Sequence, residues 1–120
     1  MYTHEQFKPN EAWFIFRIDA LIRIQDTPAD MYILMDIGSS YIFGQIIITD
    51  KAPLEIDIHR LMKNAYSQKN EWPSTIYYTA NDPHEEMFRK FAEQKKISFK
   101  SEPASAFNSI TDPVKKSFYH

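Results

Sequence analysis

Apolar and mixed side chains alternate without interruption from Phe14 to Ile24, and no other feature of the sequence constrains the fold as strongly. A period of two residues places successive side chains on opposite sides of an extended chain, so the pattern predicts a long β-strand. One side of the strand is apolar: Phe14, Phe16, Ile18, Ala20, Ile22 and Ile24. The other side is mixed: Trp13, Ile15, Arg17, Asp19, Leu21 and Arg23.

Two further strands are predicted directly after the first. Gln25–Asp30 has the composition of a turn, Met31–Ile37 reads as a second strand, and Tyr41–Thr49 reads as a third. The short segment that begins at Gly38 joins the last two, with the glycine expected to supply the turn conformation. The first third of the chain is therefore predicted to be a three-stranded antiparallel meander.

The period then changes to that of a helix. Leu54–Gln68 carries an apolar stripe at helical spacing after Pro53, and Thr75–Thr79 follows as a short strand of β-branched and aromatic residues. A second helix is predicted to begin with a cap formed by Asp82, Pro83 and Glu85 and to run to about Lys96. A strand over Ile97–Lys100 and a helical segment over Pro103–Ser109 follow. The chain ends in a short turn that begins with a cap at Thr111-Asp112-Pro113.

The predicted order is β-β-β-α-β-α-β-α, which implies a mixed five-stranded sheet with helices. Three antiparallel strands followed by helical crossovers place the last two strands parallel to the first. This is the element order of the ribonuclease H-like fold, within the α/β (α+β) class. The length of 120 residues and the absence of a linker predict one domain over residues 1–120.

Composition excludes several classes of chemistry. The chain has no cysteine, so it has no disulfide, no thiolate zinc site and no thiol nucleophile. Its 2 glycines are too few for a phosphate-binding glycine loop. The net charge of −2 gives no general attraction to nucleic acid or to an anionic membrane. No apolar run approaches the length of a spanning helix, and the first ten residues do not read as a signal peptide, so a cytoplasmic location is expected.

Three stretches of the sequence resemble the catalytic core of retroviral-type integrases and related transposases. Trp13–Asp19 is similar to that family's opening strand, in which a tryptophan precedes the first metal-binding aspartate. Met31–Gly44 is similar to its second and third strands, and Ser74–Ile97 is similar to the strand that ends in Thr-Asp-Asn-Gly with a helix after it. Together the three stretches cover residues from about 12 to 100.

The resemblance also indicates where catalytic carboxylates should lie. Phosphoryl transfer with two metal ions needs carboxylates from three elements around ions about 3.5–4 Å apart. The resemblance implies that Asp19 is at the first position and Ala80 at the second, with Asp82 two residues too late. The third position falls on the last helix, in the region of Lys115 and Lys116. What it implies is a shared fold with an incomplete active site.

The acidic residues leave two alternatives open. In the first, the protein is a metal-dependent nuclease or phosphoryl-transfer enzyme that uses Asp19 with Asp36 or Asp82, and Mg²⁺ is its cofactor. In the second, Asp19 faces solvent or pairs with Arg17 or Arg23, and Asp36 bonds turn amides. Outside the first alternative no cofactor is predicted.

Histidines and serines add little support for catalysis. The four histidines, His4, His59, His84 and His120, lack the spacing of a zinc site, and His84 is expected to be a solvated residue at a helix start. Ser39, Ser40 and Ser105 have no G-x-S-x-G context.

The remaining aromatic residues favour binding over catalysis. Not easily placed in a core, and therefore candidates for an interface, are Trp13, Trp72, Tyr77 and the tail residues Phe118 and Tyr119. Basic residues of the last third are expected to form a solvated face, which makes nucleic acid an unfavoured partner. The expected function is a non-catalytic interaction or accessory domain that binds a protein partner, or a second copy through an edge strand or the aromatic tail.

Overall fold

The computed structural model describes the backbone of residues 1–24, 27–48 and 55–118, and the side chains of residues 1–18, 31–47 and 55–117. The strands are β1 (Ala12–Ile24), β2 (Thr27–Asp36), β3 (Ile42–Ile48), β4 (Thr75–Thr79) and β5 (Ser98–Glu102). The helices are α1 (Glu55–Lys69), α2 (Glu85–Gln94) and α3 (Asn108–Phe118), with short 3₁₀ turns at His4–Gln6 and Ala104–Phe107.

The strands form one mixed five-stranded sheet in the order β3-β2-β1-β4-β5. The pairs β1–β2 and β2–β3 are antiparallel, whereas β1–β4 and β4–β5 are parallel. Each parallel pair is joined through a helix, as the change of period predicts. The predicted meander, crossovers and ribonuclease H-like topology are confirmed.

Both faces of β1 are buried in the described part of the strand. Trp13 and Ile15, on the side that the sequence reads as mixed, pack with Leu34 and Tyr78 under α1 and α2. Trp13 is fully buried, so its predicted place at an interface is wrong. Phe14, Phe16 and Ile18, on the opposite side, pack with Phe107 and with residues of α3 and the amino-terminal segment. The centre of the sheet is therefore covered on both sides at β1, which leaves the ends and edges of the sheet as its accessible surfaces.

The composition of Gln25–Asp30 predicts a turn, but most of this segment belongs to a strand. Residues from Thr27 onward belong to β2 and pair with the end of β1, from Ile22 to Ile24. A register shift between Ile18 and Ile22 accommodates this extension. Backbone pairing with a neighbouring strand prevails here over the local turn preference. Gln25 and Asp26 lie outside the described residues.

Gly38 is required for a different reason from the one predicted. The residue with a left-handed backbone in this turn is Ser40, at φ 64°, and Gly38 does not have a positive φ. A Cβ at Gly38 would instead collide with the backbone carbonyl of Lys8, which passes directly over it. Glycine therefore permits a close approach of two backbone segments.

Two helix boundaries also differ from prediction. α2 begins at Glu85 and ends at Gln94, so Pro83 precedes the helix. α3 already begins at Asn108, and Pro113 lies inside it. Thr111 does not cap a new turn, because its buried hydroxyl donates a hydrogen bond to the carbonyl of Phe107 (3.2 Å). The predicted contributions of Pro53 and Leu54 to α1 fall outside the described residues.

Candidate functional site

A polar cavity of about 240 Å³ opens at the carboxyl end of β4, between the sheet and α3. Ala80 and Asp82 line it from the loop after β4, Arg17 lines it from β1, and Thr111 and Lys115 line it from α3. The second carboxylate position of the resemblance (Ala80) and the region of the third (Lys115) thus meet in one cavity. The positions that the resemblance assigns to the second and third carboxylates are therefore close together, but neither Ala80 nor Lys115 supplies a carboxylate.

The backbone after β4 turns sharply and directs Asp82 back into the protein. Asn81 adopts a left-handed φ of 67°, a conformation that asparagine tolerates better than most residues. The side chain of Asp82 is only 6% exposed as a result. A buried carboxylate needs hydrogen-bond donors, so its surroundings decide what it can do.

Three donors meet the Oδ1 atom of Asp82. The Tyr32 hydroxyl lies 2.7 Å away, the Tyr78 hydroxyl 2.8 Å away and the backbone N–H of His84 2.9 Å away. Oδ2 lies 2.9 Å from the Tyr32 hydroxyl and 3.9 Å from an Arg17 nitrogen. We call Asp82 with these partners the Asp82 hub. It links β2, β4 and the start of α2.

The hydrogen-bond donors fix the tautomer of His84. The oxygen of the Tyr32 hydroxyl also lies 2.9 Å from His84 Nδ1, but the hydroxyl has one proton to give. If that proton went to His84, two oxygens at 2.7 Å would face each other with no proton between them. Tyr32 therefore donates to Asp82, and Nδ1–H of His84 donates to Tyr32. The expected solvated role of His84 is wrong in this respect.

Burial and the neighbouring carboxylate keep both tyrosines protonated. Burial is the main cause that raises the pKa of Tyr32 well above its usual range, and the hydrogen bond to Asp82 adds to it. Burial is also the main cause of the higher pKa of Tyr78, followed by the proximity of Tyr32 and the hydrogen bond to Asp82. Both hydroxyls therefore stay protonated, and remain hydrogen-bond donors, to a higher pH than an exposed tyrosine would.

The predicted capping box at Asp82 and Glu85 is wrong. The Asp82 carboxylate accepts from the N–H two residues later, as in an Asx turn ahead of the helix, rather than capping α2. The Glu85 carboxylate turns away from it and accepts from the Ser101 hydroxyl (2.6 Å) and from Arg89 (2.8 Å). These hydrogen bonds, the one from Ser101 first, lower the pKa of Glu85.

Asp36 lies at the opposite end of the sheet. Its register partner on β1 is Trp13, six residues before Asp19, which corresponds to about 20 Å along the strand. The pairing of Asp36 with Asp19 at one metal ion is therefore wrong. The buried Asp36 carboxylate instead accepts from the N–H of Asn10 (2.9 Å) and the hydroxyl of Ser39 (2.6 Å), which ties the β2–β3 turn to the amino-terminal segment.

The side chain of Asp19 lies outside the described residues. Its backbone belongs to β1, just after the regular pairing with β2 ends at Ile18. Arg17, two residues earlier on the same strand, reaches the Asp82 hub. A shared site for Asp19 and Asp82 stays a prediction.

The two aromatic residues proposed as binding residues are already packed. Trp72 is partly buried and contacts the rings of Trp13, Tyr66 and Phe91 at centroid distances of 4.6–5.8 Å. Tyr77 is 7% exposed and lies in the core on the other side of the sheet. The packing accounts for both residues, and a binding role for either stays a prediction. Tyr119 falls outside the described residues.

The described residues contain no cluster of three histidine or acidic side chains that could hold a metal ion. His59 lies beside Glu55 (3.6 Å), and His4 Nδ1 lies 2.6 Å from the carbonyl oxygen of Ile37. No helix within the described ranges is both long and apolar enough to cross a membrane.

Sequence reasoning missed Tyr32 and Tyr78, although one signal for them exists. Both occupy strand positions on the face of the sheet that α1 and α2 cover. A buried tyrosine hydroxyl usually has a hydrogen-bond partner. That rule would have prompted a search for an acceptor. It does not by itself identify Asp82, which lies 50 residues from Tyr32 in the sequence.

No protein-family model matches the sequence, and no curated protein matches it significantly. Solved structures do match. A chain of the simian T-cell lymphotropic virus intasome, solved in complex with a PP2A regulatory subunit, superposes with a TM-score of 0.59 at 15% identity, over 94% of this chain and 41% of that one. The present chain thus spans about two-fifths of that protein.

The HTLV-2 integrase catalytic core domain in complex with magnesium is similar in two forms. The dimeric form gives a TM-score of 0.58 at 14% identity, over 91% of this chain and 67% of that one. The trimeric form gives 0.59 at 14% identity, over 91% and 66%. The chain therefore has the fold of retroviral integrase catalytic cores, as the sequence resemblance implied. At such low identity the likeness concerns the fold alone.

Proposed function

We propose that this protein is a non-catalytic interaction or accessory domain built on the integrase-core fold. One observation carries the proposal: the cavity at the carboxyl end of β4 holds Ala80 and Lys115 where the resemblance expects carboxylates. The remaining acid in that cavity, Asp82, is engaged by hydrogen bonds from its own protein.

The described residues of this cavity do not fit a pair of magnesium ions. Mg²⁺ is bound through carboxylate and other oxygen ligands, and Ala80 offers no side-chain ligand. Lys115 brings a positive charge to the same cavity and opposes the approach of a cation, and the one acid there, Asp82, already lies 3.9 Å from Arg17.

Recruiting Asp82 as a metal ligand would also be costly. Hydrogen bonds to a charged group contribute roughly 1.5–3 kcal/mol each, and the Asp82 hub contains three short ones. A metal ion would have to replace these donors while two tyrosine hydroxyls stayed buried without their acceptor. The hub therefore supports a structural role for Asp82.

A metal-dependent nuclease that uses Asp19 and Asp82 is the second candidate. It is favoured by one observation: Arg17, on the strand that carries Asp19, approaches Asp82 to 3.9 Å, so this part of β1 lies beside the hub. This candidate predicts divalent-ion binding by the unmodified protein and nuclease activity that Asp82→Asn abolishes.

A restored-site variant tests the proposal. Ala80→Asp with Lys115→Glu places acids at two cavity positions, and we expect Mg²⁺ at about 10 mM to stabilise it by roughly 2–3 kcal/mol if its Kd is near 0.1 mM. Thermal unfolding with and without the ion measures the effect. The control, Ala80→Asp with Lys116→Glu, makes the same charge change, but Lys116 is exposed and does not line the cavity, so it should gain little.

The unmodified protein should gain no stability from Mg²⁺ or Mn²⁺ and should not cleave single- or double-stranded DNA. Stabilisation of the unmodified protein together with cleavage would overturn the proposal and favour the nuclease. The proposal further expects action in the cytoplasm through a protein partner or a second copy. Nucleic acid is not the expected ligand, because the net charge is −2.

A further inference from the structure

The two edge strands of the sheet differ in character. The sheet ends at β5 on one side, where the strand is short and carries two charged residues, Lys100 and Glu102. It ends at β3 on the other side, where Ile42 is 41% and Ile47 is 45% exposed. Natural proteins usually protect an edge strand with charges or proline, because its free backbone groups can pair with another strand. β5 has this protection, and the described residues of β3, from Ile42 to Ile47, include neither a charge nor a proline.

The β3 edge also borders a groove. A cavity of about 480 Å³ lies between β3 and α1 and is lined by the backbone and side chains of residues 44–47 and by residues of α1. Gly44 lets α1 pack close to the strand, since a Cβ there would lie 3.0 Å from a methyl carbon of Leu61. An added strand could pair with β3 and place side chains against this groove.

The charges in the groove are self-complementary. Asp57 and Arg60, both on α1, line it, and neither forms an ion pair with the residues that the structure describes. Two copies related by a two-fold axis present the same patch to each other, so the Asp57 of each can meet the Arg60 of the other. An acidic or a basic peptide from another protein would satisfy only one of the two charges.

We propose that β3 pairs antiparallel with β3 of a second copy and joins the two sheets across a two-fold axis. The inference rests on the proposed function as an interaction domain and specifies the partner and the surface. Backbone hydrogen bonds and the apolar side chains of Ile42 and Ile47 supply the affinity. The charges of Asp57 and Arg60 select the register and the partner.

Molar mass in solution is the first test. We expect light scattering to give twice 14.2 kDa at high concentration and a concentration-dependent fall towards 14.2 kDa on dilution. Ile47→Lys adds a charge to the edge at an exposed position and should weaken dimerisation at least about tenfold without unfolding the monomer. The matched control, Ser98→Lys on the exposed β5 edge, should leave the dimer unchanged.

Charge exchange tests the choice of partner. Asp57→Arg and Arg60→Asp should each weaken the dimer, and the double variant should recover it because each groove again presents both signs. Circular dichroism of each variant confirms that the monomer is folded. Loss of the dimer in the double variant as well would refute the predicted ion pairs.

Cross-linking locates the interface, because the chain has no cysteine and a single introduced thiol is the only one present. If the two-fold axis passes through the paired β3 strands anywhere from Gly44 to Ile46, the two Gln45→Cys thiols are offset by at most about 7 Å along the strands. A short bismaleimide should therefore link them, and it should not link Lys100→Cys.

A monomer at every concentration, or a dimer that Ile47→Lys leaves intact, would overturn the inference. A monomer that instead binds an unrelated extended peptide at β3 would overturn it as well. These readouts are independent of metal binding, so failure of this inference is distinguishable from failure of the proposed function.

Discussion

Removal of the Asp82 carboxylate is the most informative single perturbation of the domain. Asp82→Ala deletes the acceptor for the Tyr32 and Tyr78 hydroxyls and for the N–H of His84, and it leaves both hydroxyls in place. Asp82→Asn keeps the shape and one oxygen acceptor but removes the charge. Comparison of the two variants separates the loss of hydrogen bonding from the loss of charge.

The structure sets the size of the expected effect. A buried polar group that loses its hydrogen-bond partner costs about 1–3 kcal/mol. Asp82→Ala removes the acceptor of both tyrosine hydroxyls, although Tyr32 keeps its contact with His84 Nδ1. We expect Asp82→Ala to lower the free energy of unfolding by about 3–4 kcal/mol and Asp82→Asn to lower it by about 1–2 kcal/mol. The first value is a large share of the stability of a domain of this size, which is typically about 5–15 kcal/mol.

Equilibrium unfolding in urea, followed by tryptophan fluorescence and circular dichroism, measures both values. Asp112→Ala is the control, because Asp112 is an exposed acid on α3, and a change there should stay within about 0.5 kcal/mol. All measurements are made without divalent ions.

A small effect would refute the reasoning. If Asp82 were held in place for a metal ion, its removal without the ion would relieve unfavourable burial of charge, and stability would change little or rise. A loss below about 1 kcal/mol for Asp82→Ala would therefore contradict the hub and support the nuclease.

Two further predictions concern the tyrosines and the β2–β3 turn. Because the pKa values of Tyr32 and Tyr78 are raised in the folded state, their contribution to stability is present below the unfolded pKa of about 10 and is lost as the pH rises towards the folded values. The free energy of unfolding, measured above pH 10, should therefore fall as the pH rises, and it should fall less steeply in the double variant Tyr32→Phe/Tyr78→Phe. Equal slopes in the two proteins would contradict the raised pKa values. Gly38→Ala should cost about 2–4 kcal/mol in the same urea assay because its Cβ meets the Lys8 carbonyl. Ser39→Ala, which loses the hydrogen bonds of its hydroxyl with Asp36 and with the N–H of Tyr41 but introduces no clash, should cost less.

The order of elements was predictable because it depends on local patterns. The alternation at the start of β1, where Phe14, Phe16 and Ile18 are buried, and the helical stripe ending at Ala65 both arise from side chains that a layer of the core must bury. The resemblance then located Ala80 and Lys115, which the structure brings into one cavity. Those positions follow from topology, which varies little among chains of one fold.

Features that depend on distant residues were not predictable in the same way. Asp82, Pro83 and Glu85 match a local capping pattern, but the left-handed turn at Asn81 directs Asp82 into the core, where Tyr32 approaches it from β2. Gly38 suits a turn, but its requirement comes from Lys8, which lies 30 residues away in the chain. In both places, contacts with distant parts of the chain give the residue, Asp82 or Gly38, a role that its local sequence pattern does not reveal.

The central claim is that the cavity at the carboxyl end of β4 is not a divalent-metal site. Paramagnetic Mn²⁺, titrated into the isotope-labelled protein and followed by amide NMR, tests it directly because the ion broadens signals of nearby residues only. We predict no selective broadening at Ala80, Asp82 or Lys115 up to millimolar Mn²⁺. Selective loss of these signals at low Mn²⁺ would contradict the account and would identify the domain as a metal-binding one.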